Sequence, residues 1–178
     1  MSKKDGIVKT FSSEVIEHLA RLIRGIKVAM LTTVCEDGSL RSRPMSAQTG
    51  DFDGTVCFLT RADTAKVDEV QQEEQVNVSY VDADDQRFIS ISGRASLVRD
   101  RQKIKELWNS ISTAWFQDGP DDPRLALLRV EADRVEYWDD QTGAMVQIVG
   151  PDRSTEKLLF VSSFRETHHG QTVAFKSS

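Results

Sequence analysis

Residues 31–48, LTTVCEDGSLRSRPMSAQ, and residues 55–66, TVCFLTRADTAK, carry the reading that decides the fold. Two β-like runs meet at Glu36-Asp37-Gly38-Ser39, and an Asp-Gly pair between such runs is a strong hairpin signal. The returning run holds Arg41 and Arg43 on one face, because strand side chains alternate. Pro44 removes a ladder donor, so this run belongs at a sheet edge or at a bulge. A third run, Thr55 to Thr60, delivers Thr60, Arg61, Thr64 and Lys66 to the start of a short helix ending near Gln72. The first N–H groups of a helix lack intrahelical partners and its dipole favours an anion, so hydroxyls and cations gathered there suit a phosphate. No Walker or Rossmann glycine pattern accompanies the cluster. A phosphate held beside antiparallel strands points to flavin mononucleotide (FMN) and away from ATP or NAD.

The flanking sequence continues the β pattern. Ser12 or Ser13 can cap a helix reaching about Arg24, with Val15, Ile16, Leu19, Leu22 and Ile23 on one face and Gly25 just past its end. Lys27 to Cys35 is apolar on both faces, as expected of a barrel strand packed inside and covered outside. Gln75 to Val81 alternates cleanly, and Arg87 to Val98 is a long strand whose Gly93 marks a bulge or corner. Asp100 can cap a helix with Ile104, Leu107, Trp108 and Ile111 as one apolar stripe. Leu125 to Glu131 and Arg134 to Trp138 read as two further strands. Many antiparallel strands with few, short helices make an α+β barrel. Residues 1–11 read as an N-terminal arm, 12–139 as the barrel domain and 140–178 as a C-terminal extension. That extension is irregular apart from β-like patches at Met145–Val149 and Leu158–Ser162.

Composition excludes several classes. A chain of 178 residues suffices for one domain with a sizeable core. A hydrophobic content of 39% and a charged content of 29% are ordinary for soluble proteins. The net charge of −5 argues against nucleic acid as a partner, which would need a basic face. No apolar run approaches the roughly 20 residues that cross a bilayer, so no membrane partner is expected. Met-Ser-Lys-Lys-Asp leads into an amphipathic helix and not into a signal-peptide core. A Cys35–Cys57 disulfide is open in principle, but without a secretion signal two reduced thiols in a cytoplasmic protein are expected.

The order T-x-x-x-DG-x-x-R-x-RPM (residues 33–45), FLT-x-x-x-x-x-K (58–66), ISGRA (91–95), WFQDG-x-DDPR (115–124) and VEYWD (135–139) resembles the pyridoxamine-5′-phosphate-oxidase-like split barrels. The branch it looks like is the bacterial general stress protein type, and the resemblance runs from Val28 to Asp139. It implies a six-stranded antiparallel split β-barrel with flanking helices. It further implies a homodimer with the flavin at the subunit interface, the flavin being FMN with FAD as the alternative. Arg43 matches the family's phosphate-contacting arginine, with Arg41 on the same strand face. The segment Arg43 to Gln48 is implied to line the flavin, with Pro44, Met45, Ser46 and Ala47 offering mainly backbone groups. Leu59, Thr60, Thr64 and Lys66 are the matching positions of the second motif.

Each position has a plainer reading. Lys66 could be a solvated helix lysine, and Arg43 could pair with an acid on a neighbouring strand. Trp115 and Phe116 could pack in the core or form an aromatic wall against a planar ring, and Tyr137 and Trp138 read as core or interface residues. His168 and His169 point apart on any regular element, and Asp118, Asp121 and Asp122 lack a calcium loop's ligand spacing, so no metal is expected. The implied function is a flavin-binding general stress protein, a flavin-dependent oxidoreductase whose substrate and catalytic residues the sequence does not name. The alternatives are an active pyridoxamine 5′-phosphate oxidase and a barrel interaction module without flavin. Against the oxidase, Gln48 stands where such enzymes carry lysine, and no Arg-x-His element follows Trp138. Oxidation of pyridoxamine 5′-phosphate is therefore expected to be negligible.

Overall fold

The computed structural model describes residues 13–47, 52–139, 144–149 and 156–159. The N-terminal arm, Gln48, the two adjacent histidines and most of the C-terminal extension lie outside these described residues. The elements in chain order are α1 (Ser13–Ile23), β1 (Val28–Val34), β2 (Leu40–Ser46), β3 (Thr55–Arg61), α2 (Ala65–Gln72), β4 (Gln75–Asp82) and β5 (Arg87–Val98). They continue as α3 (Arg101–Leu107), α4 (Ser110–Trp115), β6 (Leu125–Asp139), β7 (Ala144–Val149) and β8 (Glu156–Leu159).

All strand pairings are antiparallel. The sheet runs β2-β1-β4-β5-β6-β7-β8, and β3 pairs with β6 off that path. Strand β6 makes this branching possible. Its first half, Leu125–Glu131, pairs with β3, and its second half, Arg134–Asp139, pairs with β7, while β5 runs along the other edge of both. Strands β1 to β6 curl into the split barrel, with β2 and β3 on either side of the opening.

The hairpin turn forms as the Asp-Gly pair requires. Gly38 has φ +79°, Cys35 N–H donates to Ser39 O at 2.8 Å, and the Asp37 carboxylate accepts from Ser39 N–H at 3.0 Å. Strand β2 is an edge, pairing only with β1 among the described strands, which is where Pro44 is tolerated. Inside the curl, Leu31, Phe58, Val78, Ile89, Ile91, Leu128 and Val130 are fully buried. Each such side chain contributes about 1.5–3 kcal/mol relative to exposure. Helix α1 closes one end by placing Leu19 in this core. Its last carbonyls are held by the Arg87 guanidinium, which donates to Leu22 O at 3.0 Å and also pairs with Asp82.

Three expectations need correction. The runs Leu125–Glu131 and Arg134–Trp138 are one strand, because the register shift at Ser92/Gly93 absorbs the break as a bulge without ending the ladder. The single helix after Asp100 is two, because the Asn109 side chain accepts from Ile111 and Ser112 N–H and starts α4 afresh. Ile111 is consequently exposed and leaves the apolar stripe. The outer face of β1 is uncovered within one chain, Val28 being 54% exposed. In the C-terminal extension the β-like patch expected at Met145–Val149 is found in β7, and Leu158 and Leu159 of the second patch lie in β8; both strands continue the sheet beyond β6.

Candidate functional site

The opening of the barrel brings β2 against α2. Arg43 lies on β2 diagonally across from Thr33 of β1, in a register where Thr33 faces Arg41 and Leu31 faces Arg43. Thr33 is buried, and its hydroxyl donates to Glu69 Oε2 at 2.6 Å. Glu69, on the inner face of α2 beside Val67 and Val70, is only 8% exposed. The Arg43 guanidinium meets it with a fork: NH1 lies 2.7 Å from Oε2 and NH2 donates to Oε1 at 2.9 Å. Arg43 NH1 also donates to the Thr33 hydroxyl at 2.9 Å, closing a ring of three side chains. The Arg41 guanidinium, more exposed, reaches Oε1 at 3.3 Å.

Lys66 stands one turn before Glu69 on the same helix and is half-buried. Burial, and next the charge of Arg43, hold its ammonium below the ordinary lysine value. The hydrogen bond from Arg43 is the largest of the effects that hold Glu69 below the usual carboxylate range. Three cations and one carboxylate thus converge where β2 faces the start of α2. Thr64 is the N-cap residue but does not cap: its hydroxyl donates to Arg61 O at 2.9 Å, so the first turn of α2 receives no side-chain cap. Uncapped N–H groups beside cations are a ready anion seat.

The other candidates separate. Arg61 is bonded to Asp63 at 3.0 and 2.8 Å, and the buried Thr60 hydroxyl, among the described residues, reaches only Arg61 O at 3.4 Å. Met45 and Ala47 point into the main core, Pro44 is exposed on the outer face, and Ser46 pairs with Val28. Leu59 belongs to a second apolar cluster with Ile104, Leu125 and Leu127, against which Phe116 packs beside Trp108. Phe116 therefore packs, partly buried, against this second cluster, whereas Trp115 is 76% exposed. Gln48 lies outside the described residues. Within the Asp118–Asp122 loop, Arg124 bonds Asp118 and Asp122 while Lys105 pairs with Asp121 at 3.0 Å, and the loop is tied to the end of β3 by Ala62 N–H to Arg124 O at 2.8 Å.

Sequence reading missed Glu69 and Thr33. Lys66 and Glu69 are three apart, so they share a helix face, and Thr33 sits on the buried face of β1; those spacings were the available signal. A cleft of about 310 Å³ opens at the opposite end of β3, between Phe52, Cys57, Tyr80, Lys103 and Arg129. None of the predicted site residues lines it.

The family model described as pyridoxamine 5′-phosphate oxidase like matches residues 14–155. The protein bli-3 of Neurospora crassa is 27% identical over 175 residues, covering 92% of this chain and 84% of its own. General stress protein 26 of Bacillus subtilis is 28% identical over 121 residues, covering 64% of this chain and 80% of its own. Among solved structures, the general stress FMN/FAD binding protein of Xanthomonas citri superposes with a TM-score of 0.61 at 28% identity, covering 93% of this chain and all of its own.

Proposed function

Because the chain belongs to the pyridoxamine 5′-phosphate oxidase-like family, we propose that it is a flavin-binding protein of the general stress type, a homodimer that holds FMN by its phosphate. The observation that carries this reading is the convergence of Arg43, Arg41 and Lys66 on the uncapped first turn of α2. The fit to a phosphomonoester is chemical. Lys66, whose ammonium is held below the ordinary lysine value by burial and next by the charge of Arg43, is relieved by a dianion. Charge-assisted hydrogen bonds to such a group contribute about 1.5–3 kcal/mol each. The name of the Xanthomonas citri neighbour, which couples general stress with FMN/FAD, supports flavin as the ring carried by that phosphate.

When bound, the flavin supplies hydride and electron transfer. This chain's residues bind and orient: Arg43 and Lys66 fix the phosphate end, and the backbone of Arg43 to Ala47 presents its groups along the edge of the sheet. A second copy of the chain covers the ring. The outer face of β1, β2 and β4 exposes Val28, Met30, Leu40 and Val81, apolar residues that a partner of the same kind would bury. The two cysteines are free, in keeping with a reducing, cytoplasmic setting.

The test is the visible absorption spectrum of the purified protein before and after addition of FMN and removal of excess. Retained flavin absorbance in the protein fraction supports the reading; a colourless protein after loading overturns it.

A further inference from the structure

We infer that Glu69 is the positioning residue of the phosphate site: it aims the Arg43 guanidinium at the anion, and only through Arg43 does it favour FMN. This rests on the phosphate-binding reading above. A carboxylate is an odd neighbour for a phosphate, since on its own it repels one. Its placement explains it. Glu69 is nearly buried and takes a fork from Arg43 at 2.7 and 2.9 Å, a hydrogen bond from Thr33 at 2.6 Å and a contact from Arg41 at 3.3 Å. Two-point pairing fixes the plane of the guanidinium as a single contact cannot. Thr33 then locks the carboxylate by donating to it while accepting from Arg43 NH1 at 2.9 Å.

The charge balance follows from the same geometry. Arg41, Arg43 and Lys66 set against Glu69 leave two positive charges, the complement of a phosphomonoester dianion. Without the carboxylate, Arg43 and the half-buried Lys66 would oppose each other in the empty protein. Arg43 would then turn outward to water, and the anion would have to recruit it on binding. Glu69 removes that reorganisation in advance.

The inference predicts a change of sign that a merely structural residue would not produce. In the otherwise unaltered protein, Glu69→Gln keeps the shape but loosens the fork, and FMN affinity falls about tenfold while riboflavin affinity stays constant. In the Arg43→Ala background the carboxylate has lost the partner it positions and keeps its repulsion of the anion, against which stands only the longer, more exposed contact with Arg41. There Glu69→Gln raises FMN affinity. Thr33→Val, which removes the locking hydroxyl and conserves volume, lowers FMN affinity in the same direction as Glu69→Gln, and keeps the inference testable should the Glu69→Gln protein fail to fold.

The experiment is a fluorescence titration of the full chain with FMN and with riboflavin for these four variants and the unaltered protein. If Arg43→Ala lowers FMN affinity but Glu69→Gln and Thr33→Val do not, Glu69 is not a positioning residue. Equal losses for FMN and riboflavin in Glu69→Gln, or a further loss of FMN in the double variant, overturn the inference likewise. If Arg43→Ala leaves the FMN-to-riboflavin ratio unchanged, the phosphate assignment itself is wrong, and the inference goes with it.

Discussion

At the scale of single residues, the site depends on cations being held where water would otherwise solvate them separately. In the proposed phosphate site Lys66 is the clearest case, because burial and Arg43 make its charge costly. Lys66→Ala is expected to weaken FMN by roughly ten- to hundredfold, or about 1–3 kcal/mol. Lys105→Ala, which removes a lysine paired with the exposed Asp121 on the far side of α3, should leave FMN affinity unchanged; parallel flavin titrations compare the two. Glu69 gives a pH signature. Its folded value lies below its ordinary 4.5, so the stability it contributes is fully present above pH 4.5 and is lost as pH falls through the lowered value. Thermal melts between pH 7 and 3 should therefore show a steeper acid decline for the unaltered protein than for Glu69→Gln. That Arg43 and Lys66 come together was legible in the sequence because a motif and a helix start marked them. Glu69 was not, because its role is set by packing against β1 and β2, elements some thirty residues away in the chain.

At the scale of elements, the bulge opposite Gly93 lets one strand serve two neighbours. A Cβ at position 93 would sit 2.1 Å from the Glu131 carbonyl oxygen, and backbone cannot give way as a side chain can. Gly93→Ala should accordingly cost more than the ordinary loop substitution, about 2–4 kcal/mol, read as a lower midpoint of denaturant unfolding. Asn109→Ala removes the cap that starts α4 and should cost about 1 kcal/mol by the same measurement. The sequence named Gly93 correctly as an interruption, yet divided β6 in two, because the bulge that carries the ladder past Asp133 is set by the pairing with β5. It also fused α3 with α4, since the periodicity of Ile104, Leu107, Trp108 and Ile111 runs through a break that only the Asn109 hydrogen bonds make visible. The edge position of β2 was legible from one residue, Pro44, because a missing N–H excludes a central strand.

At the scale of the molecule, the described residues leave an open edge at β2 and apolar residues on the outer face of β1, β2 and β4. Such edges invite pairing, and a second copy is the natural cover. Light scattering at micromolar concentration should give twice the chain mass, and Val28→Asp should shift it toward the monomer with loss of flavin. The sequence could not tell which face would stay uncovered, since apolar residues on both sides of β1 read equally as covered by a helix or by another subunit. The whole assembly is expected to bind flavin without acting on pyridoxamine 5′-phosphate: an anaerobic mixture of FMN-loaded protein and excess substrate should keep its flavin colour. The most direct test of the central claim is the comparison of FMN with riboflavin in one fluorescence titration. The phosphate cluster predicts micromolar or tighter binding of FMN and binding of riboflavin weaker by at least about tenfold; equal affinities would contradict it.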